Sequence, residues 1–115
     1  MLKPSRWQVE LLVMEESFPL LDLEPFRNGD KVGFQGWLRL AGRRTYQMVV
    51  EGSMSRYPQE EPRVYLDPHP EEHHWIRSGD LPYLCYDRDN VWSPARSTFA
   101  SVVAIAVKYL KEFGR

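Results

Sequence analysis

Apolar positions recur along this chain with two different rhythms. Trp7, Leu11, Met14 and Phe18 fall three to four residues apart, the spacing of one helical face. Val9, Leu12 and Val13 widen that face. Ser5 is of a type that caps a helix and Pro19 disfavours its continuation, so the pattern predicts a helix over residues 5–16. Phe18 to Phe26 is ambiguous, with Leu20, Leu21 and Leu23 suited to a short edge strand. Asn28-Gly29-Asp30 signals a turn. Val32, Phe34, Trp37, Leu38 and Leu40 then make a strand-like run with Gly33 and Gly36 inside it. Ala41-Gly42-Arg43-Arg44 has the make-up of a hairpin connection, and residues 45–50, rich in β-formers, supply the return strand. Residues 63–66 form a further short strand.

Periodicity stops between residues 67 and 94, a stretch holding His69, His73, His74, Trp75, Cys85 and Trp92. A long irregular segment in a compact domain is commonly functional or disordered, and the aromatic content argues against disorder. Beyond it, Phe99, Val103, Ala106, Leu110 and Phe113 restore the helical rhythm. Val102, Ile105, Val107 and Tyr109 broaden it into a helix buried over much of its circumference, ending at Gly114. The order is helix, antiparallel strands, long loop, helix. It predicts an α+β arrangement with helices on one face of a sheet. The 115 residues suit a single domain, 1–115.

Composition narrows the function classes. Fifteen basic and sixteen acidic residues give a net charge of -1, which argues against nucleic acid or an anionic membrane as partner. The longest apolar run, residues 100–107, is broken by Ser101 and is far short of a membrane span. The N-terminal residues lack a signal-peptide core, so a cytoplasmic location is expected. The single cysteine, Cys85, allows no internal disulfide. By default such a cysteine is a small buried hydrophobe, and only its surroundings can argue otherwise.

Those surroundings have a specific order. Tyr57-Pro58-Gln59-Glu60-Glu61-Pro62 precedes Val64-Tyr65-Leu66. Then come His73-His74-Trp75-Ile76, Gly79, Leu84-Cys85-Tyr86-Asp87, and Trp92-Ser93-Pro94 ahead of the last helix. The order resembles the ubiquitin-conjugating enzymes, whose pattern is Tyr-Pro-x-x-Pro-Pro, a His-Pro-Asn element, a glycine, the active cysteine and Trp-x-Pro. The resemblance covers roughly residues 37–110, and the first helix fits it as well. It implies a UBC-like fold: an N-terminal helix, a meander of about four strands, a long active-site loop and a helix packed on the sheet. The chain departs from the family at Glu61, where the first paired proline would stand, and at Pro82 and Tyr83, which lengthen the approach to the cysteine. The His-Pro-Asn asparagine is absent, and the chain ends at Arg115 before the family's further C-terminal helices. In these respects it is similar to compact bacterial relatives. Some of those occur in anti-phage CBASS operons and attach the C-terminus of a cGAS-like nucleotidyltransferase to target proteins.

The resemblance implies that Cys85 is a nucleophile carrying an acyl group as a thioester, because the thiolate is the reactive form. His73 and His74 are candidates for the role of the missing asparagine, as oxyanion donor or proton acceptor, with His74 slightly ahead. Asp87 and Asp89 are candidates for orienting an incoming lysine, although Asp-Asn clusters more often cap turns. Tyr57, Pro58, Trp92 and Pro94 are expected to shape the loop. The implied partners are a donor protein with a free C-terminus, either ubiquitin-like or a cGAS-like nucleotidyltransferase, and target lysines. No nucleotide-binding motif is present, so a separate activating enzyme or a pre-activated donor is implied. No cofactor is expected. His69, His73, His74 and Cys85 have zinc-ligand chemistry but match no zinc spacing, so no metal is expected either. The rival reading is a non-catalytic UBC-like binding module.

Overall fold

The computed structural model describes residues 2–19, 22–39, 45–67, 75–78, 81–84 and 92–113, with 75–78, 81–84, 112 and 113 described by backbone alone. The protein is α+β: helix α1 (Pro4–Ser17), strands β1 (Asp22–Asn28), β2 (Lys31–Arg39), β3 (Thr45–Ser53) and β4 (Arg63–Asp67), a hairpin of β5 (Trp75–Ser78) and β6 (Leu81–Leu84), and helix α2 (Phe99–Phe113). β1 to β4 form one antiparallel sheet in chain order, and β5–β6 a second, two-stranded sheet beside β4. Among the described residues no helix is long and apolar enough to cross a membrane.

Alternation decides which sheet face is covered. Val32, Phe34 and Leu38 on β2, Tyr46, Met48 and Val50 on β3, and Val64 and Leu66 on β4 are all buried, while Gln35, Trp37 and Gln47 between them are exposed. Cross-strand register keeps the buried set together, with Phe34 opposite Val50 and Val50 opposite Val64. Both helices lie on that face. Trp7 of α1 and Phe99 of α2 meet Phe34 with ring centroids 5.4 and 5.7 Å away. Val102, Val103, Ala106 and Leu110 complete the α2 contact, and each fully buried Val or Leu contributes about 1.5–3 kcal/mol.

Several boundaries differ from expectation. α1 begins one residue earlier than the pattern suggests: Lys3 is the N-cap, without a side-chain cap bond, and Pro4 takes the first turn, where its missing N–H costs nothing. Ser5 is therefore inside the helix. Val9 and Leu12 do not widen the buried face but point outward, at 49% and 58% exposure, while Glu10 is buried beside Met14. Trp7, Glu10 and Met14 recur at three and four residues, so a carboxylate occupies the stripe that apolar residues alone were expected to fill. β1 is the expected edge strand, but it starts at Asp22; Leu20, Leu21, Leu40 and the hairpin residues 41–44 lie outside the described residues. Within the stretch expected to be irregular, β5 and β6 pair instead. Four-residue strands, one containing Pro82, are too short to show alternation.

The β1–β2 turn has a consequence for acid stability. Gly29 adopts φ 62°, open to glycine at no steric cost, and Asn28 pairs with Lys31. Asp30 then ties this turn to the end of β3. Its carboxylate accepts bonds from Ser53 Oγ at 2.6 Å, Ser55 N–H at 2.9 Å and Ser55 Oγ at 3.1 Å. The Ser53 bond, more than any other contact, holds Asp30 below the ordinary carboxylate pKa. A lowered folded pKa adds stability above the unfolded value, about 3.9, and that stability is lost as pH falls through the lower folded value. Asp30→Ala is accordingly expected to flatten the stability–pH curve below about pH 4 and leave its shape above that unchanged, as read from urea midpoints across pH.

Candidate active site

The described part of the site is a frame built where α1, the β3–β4 connection and the start of α2 meet. α2 begins with Thr98 as its cap. Ser101 N–H donates to Thr98 Oγ1 at 3.1 Å and Thr98 N–H donates to Ser101 Oγ at 2.8 Å, a reciprocal box that satisfies two free amides of the first turn. The next free amide, Phe99 N–H, donates to Glu10 Oε1 at 2.9 Å. The Glu10 carboxylate thus sits at the positive end of the α2 dipole, where a negative charge is favoured.

Glu10 Oε2 accepts from Arg6 Nε at 2.9 Å and from the Tyr57 hydroxyl. Arg6, one helical turn before Glu10, reaches across the chain with its remaining nitrogens. Nη1 donates to the Pro94 carbonyl at 2.9 Å, and Nη2 donates to the Ser97 carbonyl at 2.6 Å and to Tyr57 Oη at 3.4 Å. Partial burial alone would lower the Arg6 pKa. Its bonds to Glu10 and Tyr57 outweigh that and raise it, so the guanidinium stays charged. Burial, reinforced by the bond to Glu10, raises the Tyr57 phenol well above its ordinary value, so it remains a donor.

Tyr57 is fully buried and stacks on Phe99 with centroids 4.6 Å apart. The Trp92 ring is tilted against Tyr57 with centroids 5.7 Å apart, and the indole N–H donates to the Pro58 carbonyl at 2.8 Å. The Tyr57–Pro58 peptide is cis. Gly52 leaves room for this stack: a methyl there would come within 3.0 Å of Phe99 and 3.3 Å of Tyr57. After Trp92 the chain turns, with Ser97 N–H donating to the Ser93 carbonyl at 2.7 Å and Ser93 N–H donating to Ser97 Oγ at 2.9 Å. Tyr57, Pro58, Trp92 and Pro94, far apart in sequence, therefore converge on one junction.

No known protein-family model, curated protein or solved structure matches this chain. What the site can do rests on its own chemistry.

Cys85, His73, His74, Asp87, Asp89 and the weighed zinc donor His69 lie outside the described residues. The backbone on either side of them is described. Trp75, the first residue of β5, pairs with Leu84, the last of β6. His74 precedes one member of that pair in the chain and Cys85 follows the other. On the far side of residues 85–91 the chain resumes at Trp92, fixed to Pro58.

The network adds two residues that pattern reading passed over, Arg6 and Glu10. Their four-residue spacing is that of a helical ion pair. The stronger signal was a glutamate three residues after Trp7 and four before Met14, on the stripe facing the core.

Proposed function

We propose that this protein is a ubiquitin-conjugating-enzyme-like acyl carrier with Cys85 as its nucleophile. The observation that carries the reading is the junction of Tyr57-Pro58 with Trp92-Ser93-Pro94, on a helix–meander–helix frame, with the only cysteine of the chain in the segment that Trp92 closes. The Cys85 thiolate attacks the activated C-terminal carbonyl of a donor protein. A carbon–sulfur bond forms and the activating group leaves. A target lysine amine then attacks the thioester carbonyl, an amide forms and the Cys85 thiolate departs. The amine proton passes to water or to a histidine, for which His74 is the first candidate: it is one peptide link from Trp75, the partner of Leu84. Asp87 and Asp89 would orient the lysine ammonium. The donor is a ubiquitin-like protein or, following the likeness to CBASS-associated enzymes, a cGAS-like nucleotidyltransferase, which would place the chain in the cytoplasm in anti-phage defence. The missing asparagine favours a second reading, a non-catalytic binding module on the same fold.

Alkylation of the native protein separates an accessible nucleophile from a packed cysteine. Cys85 is expected to react with iodoacetamide in the folded state, at a rate that rises with pH as the thiolate forms. A cysteine that labels only after unfolding would remove the nucleophile reading.

A further inference from the structure

We infer that a cavity between the start of α1 and the β1–β2 ladder is a binding site for a small apolar carboxylate, independent of the chemistry assigned to Cys85. The cavity opens to solvent and has a volume of about 180 Å³. Leu2 and Val32, both buried, form its floor with Trp7 and Met54, and Leu2 N–H donates to the Met54 carbonyl at 2.7 Å to hold that wall in place. Exposed Lys3 and Arg27 stand at its rim. No acidic residue lines it, and among the described residues neither cation has an ion-pair partner. The contrast is with a second cavity near the end of β3. There Asp30, Glu51, Glu60 and Glu61 stand among Lys31, Arg56 and Arg63, with Lys31 paired to Glu51 and Arg56 to Glu60.

Size and charge together set the ligand class. An apolar cavity of roughly 150 Å³ admits a benzene ring, so this one takes a single aryl or branched aliphatic group. Two cations at the mouth, without an ion-pair partner among the described residues, select an anion, and a carboxylate joined to the apolar group by one or two carbons would reach them while the ring fills the floor. Such a group occurs in a free aryl-alkanoic acid and at the C-terminus of a peptide ending in an apolar residue.

The test is a titration of the full-length ¹⁵N-labelled protein, followed by amide shifts, with 3-phenylpropionate, its neutral analogue 3-phenylpropionamide, acetate, and N-acetylphenylalanine. Saturable shifts centred on Lys3, Trp7, Arg27 and Val32 are expected with 3-phenylpropionate, and markedly weaker binding of the amide and of acetate. Lys3→Gln and Arg27→Gln are each expected to weaken the acid about two- to fivefold while leaving the amide unchanged. N-acetylphenylalanine binding more tightly than 3-phenylpropionate identifies a peptide end as the ligand, and weaker binding identifies a free acid. Equal affinity for acid and amide, an unaltered affinity in the double variant, or the absence of saturable shifts at these amides would overturn the assignment.

Discussion

Glu10→Ala is expected to lower the unfolding free energy by about 3 kcal/mol. The Glu10 side chain is completely buried, and its two oxygens accept from Arg6, Tyr57 and Phe99 N–H. Truncation strands two of these donors. The Tyr57 hydroxyl keeps the incoming Arg6 bond but loses the acceptor of its own proton, the Phe99 amide loses the carboxylate it donates to, and each buried donor left so costs about 1–3 kcal/mol. Arg6 loses less. It keeps the carbonyls of Pro94 and Ser97 and is 22% exposed, so water screens its charge. Glu10→Gln keeps one carbonyl oxygen for Phe99 N–H and turns an amide toward Tyr57, and its cost is expected to be about half that of the alanine. Glu10→Leu is not expected to rescue, because it fills volume without supplying an acceptor. Urea unfolding followed by circular dichroism measures all three. A loss below about 0.5 kcal/mol for alanine, the level of an ordinary surface change, would mean that the carboxylate is not the hub described here.

The network also explains why the frame around residues 85–91 has a definite shape. Arg6 joins α1 to both carbonyls of the Pro94–Ser97 turn, and Glu10 joins α1 to the first amide of α2. Tyr57 and Trp92 fill the space between them. Bonds to main-chain carbonyls fix the course of the chain regardless of side chain, so the turn after Trp92 is held from α1 even though Pro94 itself is exposed.

Much of this fold is legible in the pattern of residues. Phe99, Val103, Ala106 and Leu110 mark α2 because a helix with one buried stripe leaves a three-four rhythm. Asn28-Gly29 marks the first hairpin because only a residue at ease with positive φ can turn the chain there. Alternation on β3 shows which residues face the helices. What escaped the pattern has physical causes. Glu10 reads as polar and so as exposed, and its burial depends on donors from residues 57 and 99 that no local rule connects. Val9 and Leu12 read as core, yet they sit on the opposite side of α1 from the Trp7–Glu10–Met14 stripe. β5 and β6 are too short to show a period. At the site, Tyr57, Pro58, Trp92 and Pro94 stood out through their order in the chain. Arg6, which holds Pro94, did not, since a single arginine on a helix is ordinarily a solvated charge. Cys85, His73, His74, Asp87 and Asp89 lie beyond the described residues, and their reading rests on residue type and order.

The largest expected effect belongs to Cys85. A serine hydroxyl at this position lacks the ionisation and nucleophilicity of the thiol, and an ester on it would survive thiol treatment, which releases a thioester by acyl exchange to the added thiol. Cys85→Ser should therefore remove the reductant-sensitive adduct and the amide conjugates that follow from it, while stability changes little. The decisive measurement is intact-mass analysis of the protein incubated with ATP and the proteins encoded beside it, resolved without reductant. The proposal predicts a covalent adduct on wild-type protein that thiol treatment releases, and its absence from Cys85→Ser. The same adducts and the same conjugates from both proteins would contradict it.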